Sequence, residues 1–128
     1  MKRKPIIQLA FFAGLCFTLV LSCKYDEVLP FHVDPGVEVF FSQDILPIFE
    51  NKCASSGCHN GSGAPPDLRS SVAYDNLSTK GYINIETPDQ SKLYLWMSEA
   101  LGPMPPLGAN ATDNALVLQW ITQGGKNN

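Results

Sequence analysis

Two cysteines and a histidine fall within seven residues, Cys53-Ala54-Ser55-Ser56-Gly57-Cys58-His59, and nothing else in the chain restricts its fold as much. The spacing is C-x4-C-H. Thiols this close join each other, ligate a metal, run redox chemistry or hold a covalent group, and each option makes its own demand. A disulfide needs only proximity and leaves His59 an ordinary surface residue. Zinc asks for four ligands, and the only other histidine is His32. A redox dithiol usually keeps two residues between its cysteines within an α/β fold, a pattern not visible here. Covalent haem needs two thiols that meet the two vinyl groups of one porphyrin edge, and an imidazole beside the second thiol that reaches the iron. The usual spacing is C-x-x-C-H, so the longer loop must bulge. Ser56-Gly57 suits a bulge, because glycine enters backbone conformations closed to other residues.

The N-terminus sets the compartment. Met1-Lys2-Arg3-Lys4 is basic, and Ile6 to Leu21 is almost wholly apolar. That run is shorter than the roughly 20 residues a membrane-crossing helix needs, and a basic segment before a short apolar core reads as a secretion signal. Val20-Leu21-Ser22-Cys23 resembles the lipobox of bacterial lipoproteins, in which the cysteine becomes the first residue and carries lipid. Residues 1–22 are therefore expected to be a signal peptide, and Cys23 the lipid anchor. An uncleaved anchor helix with an incidental cysteine is the alternative. On either reading the remainder lies outside the cytoplasm, on the periplasmic face or at the outer membrane. Of the four cysteines, Cys16 leaves with the signal and Cys23 takes lipid, so Cys53 and Cys58 remain as a pair and no thiol is left over in an oxidising compartment.

Cleavage before Cys23 removes 22 of the 128 residues and leaves 106, enough for one small domain. It also removes Lys2, Arg3 and Lys4, which leaves 6 Lys and Arg against 12 Asp and Glu, a net charge near −6. An acidic surface argues against nucleic acid and favours a partner with a basic docking face.

Residues 23–36 contain Pro30, Pro35 and several acids without helical period, and read as a tether. The domain is expected over 37–128. Asp44 is placed as N-cap of a short helix running to Lys52, because Pro47 is tolerated only in a first turn; Ile45 and Phe49 then share a face. Asn60 to Pro66 is a loop, and Ser71 to Leu77 one or two helical turns. Gly81 to Thr87 is too short to classify. Asp89 or Ser91 caps a helix to about Glu99 with Leu93, Trp96 and Met97 on its apolar face. Gly102-Pro103-Met104-Pro105-Pro106 is a stiff extended loop. Thr112 is placed as cap of the last helix, where Leu116, Val117, Trp120 and Ile121 recur with helical period and Gly124 supplies the stop.

Haem bound for electron transfer commonly takes a thioether as its second axial donor. Met97 sits where core packing accounts for it. Met104 sits between prolines, where no helix or strand demands it, and a loop fixed in advance loses less entropy on ligation.

Taken together, Asp44-Ile45-Leu46-Pro47-Ile48-Phe49, then Cys53 to His59, then Met104-Pro105-Pro106, then Trp120-Ile121 resemble the small class I, single-haem cytochrome c domain in its secreted bacterial form, from about Val37 to Gly125. The resemblance implies an all-α fold with crossing N- and C-terminal helices and long loops around the haem. It implies thioethers at Cys53 and Cys58, proximal iron ligation by His59 and distal ligation by Met104. It further implies that Pro65 or Pro66 accepts the proximal imidazole N–H and that Leu68 packs on the haem. Trp120 is then a packing residue rather than an electron relay. The x4 spacing departs from the family's usual motif.

The expected function is a one-electron carrier with one covalent haem c and His/Met ligation, acting as a monomer and not as an enzyme. A five-coordinate haem that senses gas or reduces peroxide is the alternative; its polar distal candidates are His32 and Arg69. A non-haem, disulfide-stapled interaction domain is the third. Asn110-Ala111-Thr112 matches a glycosylation acceptor, but is read as helix-cap chemistry.

Overall fold

The computed structural model describes residues 33–102, 104, 106 and 108–128. The expected signal peptide, Cys23, most of the tether, His32, Pro103 and Pro105 lie outside the described residues. Among those described, four α-helices follow one another: α1 Leu46–Lys52, α2 Ala73–Thr79, α3 Lys92–Met97 and α4 Ala111–Thr122. A π-turn, Phe41–Ile45, leads into α1, and a 3-10 turn, Pro88–Gln90, precedes α3. No strand occurs among the described residues. The fold is all-α, as expected.

The first helical segment starts earlier than Asp44. Pro47 has no N–H to return to the preceding turn, and the Leu46 N–H reaches back five residues to the Phe41 carbonyl, which makes the π-turn. Asp44 is thus inside the helical segment rather than its cap. Its Oδ2 accepts a hydrogen bond from the Phe40 N–H at 2.7 Å. The next two free donors are met from the far end of the described chain. Phe41 N donates to Asn128 Oδ1 at 2.8 Å and Ser42 N to the Asn128 carbonyl at 3.0 Å, which satisfies N–H groups that every helix start leaves unpaired.

The last helix holds the 34–40 segment, which opens with a turn closed by Val37 N on the Asp34 carbonyl, in place. Gln123 Oε1 accepts from Val39 N at 2.9 Å, while Gln123 Nε2 donates to the Val37 carbonyl at 2.8 Å. Gln119 Nε2 donates to the Asp34 and Val37 carbonyls at 2.8 and 2.9 Å. Helix α4 begins at Ala111, with Asn110 as N-cap accepting from Asp113 N at 3.0 Å. Asn110 displaces the expected Thr112 because asparagine is the stronger cap and already lies in extended backbone. At the other end Gly124 N bonds the Ile121 carbonyl and Gly125 N the Trp120 carbonyl, a paired stop that satisfies two terminal carbonyls.

Phe41 is the hub of the core. Its ring centroid lies 5.2 Å from Trp120, 5.4 Å from Tyr74 and 6.4 Å from Phe49. Ile45, Phe49, Val117, Trp120 and Ile121 are fully or almost fully buried, so the first and last helical segments pack together through the faces their periodicity marks. Each such side chain contributes roughly 1.5–3 kcal/mol of burial. Trp120 is only 1% exposed, and its indole N–H donates to the Lys126 carbonyl at 2.8 Å.

Ser91 precedes α3 as expected but does not cap it with its side chain. Its buried hydroxyl instead accepts from Asn84 N at 2.8 Å, which ties the 81–87 loop to α3. Among the described residues no helix is long and apolar enough to cross a membrane.

Candidate functional site

Helix α1 delivers the first thiol. In its last turn the Phe49 carbonyl accepts from both Cys53 N at 2.9 Å and Ala54 N at 2.8 Å, and the helix ends at Lys52. Ser55 to Cys58 then forms a turn closed by Cys58 N donating to the Ser55 carbonyl at 3.0 Å. Gly57 sits at its third position with φ +81°, the conformation that such a turn requires and that favours glycine. Finally His59 N donates to the Cys53 carbonyl at 3.1 Å. The extra residues of the x4 spacing are absorbed in this turn, while the two ends of the motif stay bonded.

The loop after the motif folds back on it. An added Cβ at Gly63 would stand 1.8 Å from the Cys58 carbonyl oxygen and 2.7 Å from that of Gly57, so only glycine allows this approach. The chain returns past His59, whose carbonyl accepts from Leu68 N at 2.8 Å.

This return sets the imidazole. His59 Nδ1 lies 3.0 Å from the Pro66 carbonyl oxygen. A carbonyl only accepts, so Nδ1 carries a proton, and in the neutral ring Nε2 is then the nitrogen with the lone pair that can bind a metal. A carbonyl behind an imidazole fixes ring orientation and raises ligand basicity. Of the two prolines expected at this place, Pro66 is buried and makes the bond, whereas Pro65 is exposed. Leu68 is buried in the core.

Cys53 and Cys58 are free thiols. Cys53 leans on the core while Cys58 is exposed. Burial, and then the nearby Asp113 carboxylate, push the Cys53 thiol up to about 11, with Lys52 opposing in part. A thiol held protonated is a poor nucleophile, which is unlike the lowered thiols of redox-active dithiols. Lys52 Nζ meets Asp113 Oδ2 at 2.5 Å, a link between the end of α1 and the first turn of α4 that no local pattern announces. Among the described residues no three His, Cys, Asp or Glu side chains converge to hold a metal ion.

The two methionines part company. Met97 is buried in the core, as packing predicts, while Met104 is 37% exposed. Its N–H donates to the Gly102 carbonyl at 2.9 Å. Among the described residues no hydrogen bond joins Met104 to the motif. Arg69, the described polar distal candidate, is engaged elsewhere: it holds Asp67 through Nη2 to Oδ2 at 2.6 Å, out in solvent. The pairing keeps the Asp67 carboxyl below the usual carboxylate range.

The donor set fits a covalently attached haem. Two unbridged thiols flank a turn beside an imidazole whose Nδ1 is bonded to a carbonyl, and Met104 lies outside the core. No protein-family model matches the chain, and neither a curated protein nor a solved structure is similar enough to it to lend an identity.

Proposed function

We propose that this domain is an extracytoplasmic, lipid-anchored one-electron carrier that holds one haem c. Cys53 and Cys58 supply the thioethers, His59 the proximal and Met104 the distal axial donor. The observation that carries the reading is the His59 Nδ1 to Pro66 carbonyl bond, which orients the ring next in sequence to two free thiols. When bound, haem supplies a one-electron Fe(III)/Fe(II) couple. The residues do the rest. The Pro66 carbonyl fixes the His59 ring, the Ser55–Cys58 turn sets the spacing of the thiols, and Met104 would supply the second donor, which would leave no position for a substrate. A neutral thioether donor would favour the ferrous state and raise the potential.

Cys23 anchors the chain, and the tether keeps the domain within reach of membrane-bound donors and acceptors. The acidic surface suits a redox partner with a basic docking face. The engagement of Arg69 by Asp67 favours the six-coordinate carrier over a gas-binding or peroxide-reducing haem.

The test is a haem-stained denaturing gel of full chain expressed with cytochrome maturation machinery. Colour that stays with the polypeptide, and is lost in C53S/C58S, is expected. A colourless chain with Cys53 and Cys58 joined to each other would reject the carrier. Radiolabelled palmitate incorporation lost in C23S tests the anchor in the same preparation.

A further inference from the structure

Helix α3 ends in an unusual way. Glu99, the residue after its C-cap Ser98, has φ +63° and is the one non-glycine residue with positive φ among those described. Its N–H donates to the Trp96 carbonyl at 3.1 Å, the geometry in which helices normally stop on glycine or asparagine. A side chain with a Cβ in that well is strained. The carboxylate has a use there. Glu99 Oε1 accepts from Ala109 N at 3.1 Å, across ten residues. Ala109 immediately precedes Asn110, the cap of α4. One side chain therefore ties the end of α3 to the start of α4, and Met104 lies midway between the two tied points.

A second contact acts inside the tie. An added Cβ at Gly102 would lie 2.7 Å from Trp96 Cζ3, so the indole of α3 rests on the backbone that leads to Met104. The Met104 N–H in turn bonds the Gly102 carbonyl at 2.9 Å. Trp96 is 41% exposed and is not needed to fill the core.

We infer that Glu99 and Trp96 are positioning residues for Met104: the Glu99–Ala109 bond closes its loop, and the Trp96 indole sets the height of the backbone next to it. Neither touches iron. Both shorten the excursion of the thioether and so hold it against competing ligands. This role rests on the reading of Met104 as distal donor.

The test uses the matured, haem-loaded full chain in its ferric form, titrated with imidazole, in parent, E99A, E99Q and M104A. Imidazole displaces the sulfur only when the loop yields. Loss of one hydrogen bond in E99A is expected to tighten apparent imidazole binding about five-fold. E99Q keeps an acceptor oxygen and stays within about two-fold of the parent. Amide exchange at Ala109 speeds up in E99A and not in E99Q. Equal imidazole affinity in E99A and parent, with M104A losing its low-spin spectrum, overturns the positioning role alone. E99Q behaving like E99A overturns it too, because the hydrogen bond is then not the cause. An unchanged M104A spectrum overturns both this role and the ligand assignment beneath it.

Discussion

Replacing Trp120 by phenylalanine separates its structural role from any part in electron transfer. The indole is 1% exposed, lies 5.2 Å from the Phe41 ring and donates to the Lys126 carbonyl at 2.8 Å. Phenylalanine keeps the six-membered ring near Phe41 but empties roughly 40 Å³, worth about 1 kcal/mol of cavity at ~24 cal/mol per Å³. The lost N–H bond adds about 1 kcal/mol, since Lys126 is exposed and water can reach its carbonyl. The sum, about 2 kcal/mol, should lower the thermal midpoint of a domain this size by roughly 10 °C. The assay is thermal unfolding of the matured protein followed by far-UV circular dichroism. Stopped-flow electron exchange with a small inorganic reductant is measured beside it, below the transition. A packing role predicts the stability loss with an unchanged exchange rate. A variant that unfolds like the parent, or that keeps its stability while its exchange rate falls ten-fold, would refute the reasoning.

Three further outcomes are expected. Gly63→Ala places a Cβ 1.8 Å from the Cys58 carbonyl oxygen; the backbone must move, at a cost of about 2–4 kcal/mol, and haem incorporated per polypeptide should drop several-fold, so parental loading would contradict the close approach. In Lys52→Met the Asp113 carboxylate loses its partner at 2.5 Å; because the lysine side is 46% exposed, a double-mutant cycle with Asp113→Asn in urea should give a coupling of only about 1 kcal/mol, shrinking in molar salt. In chain made without maturation machinery, Cys53, raised from 9.0 to about 11, should hold about a hundred-fold less thiolate than an ordinary thiol below pH 9, so iodoacetamide labels it slowly and Cys58 first. Its folded form keeps a proton that the unfolded form loses, so this contribution to stability is complete below about pH 9 and is lost as pH rises through the folded value. Cys53 labelling at the rate of a short peptide thiol would count against that.

What could be read in advance follows from where each interaction gets its information. The all-α class, the faces Ile45/Phe49 and Val117/Trp120/Ile121, the terminal Gly124 and the bulge at Gly57 depend on residues within a turn or two of each other. Local periodicity and backbone preference are enough for these. The two caps expected a few residues too late differ for a local reason as well. Asp44 and Thr112 are both able to accept a backbone hydrogen bond, and what decided against them was competition: the missing N–H of Pro47 pulled the first turn back to Phe41, and Asn110 outranks Thr112. The bonds from Gln119, Gln123 and Asn128 to residues 34–42 span more than eighty positions. To a reader of the chain, they are polar side chains on a solvent-facing helix and tail.

The candidate site divides along the same line, which indicates where its chemistry is specified and where it is only supported. Cys53, Cys58 and His59 are legible because they lie in one contiguous loop; on the proposed haem reading, a porphyrin edge would fix the distance between the two attachment points. The choice of Pro66 over Pro65 behind His59 was open, since both are near enough in sequence and only the path of the returning loop distinguishes a buried carbonyl from an exposed one. Glu99 was not legible at all. Its strain exists only because α3 and α4 lie where the Phe41–Trp120 core puts them, and a helix end carrying glutamate reads from sequence as an ordinary solvated terminus. A proximal side encoded locally and a distal side held by long-range packing imply different responses to loosening the core. If Met104 is the distal donor as proposed, mild denaturant should free it from iron well before it disturbs His59, whose Pro66 bond, turn and neighbouring cysteines lie within fourteen residues, Cys53 to Pro66. A ferric spectrum that loses its sulfur and imidazole ligation in one step would mean that the two sides share a single source of order.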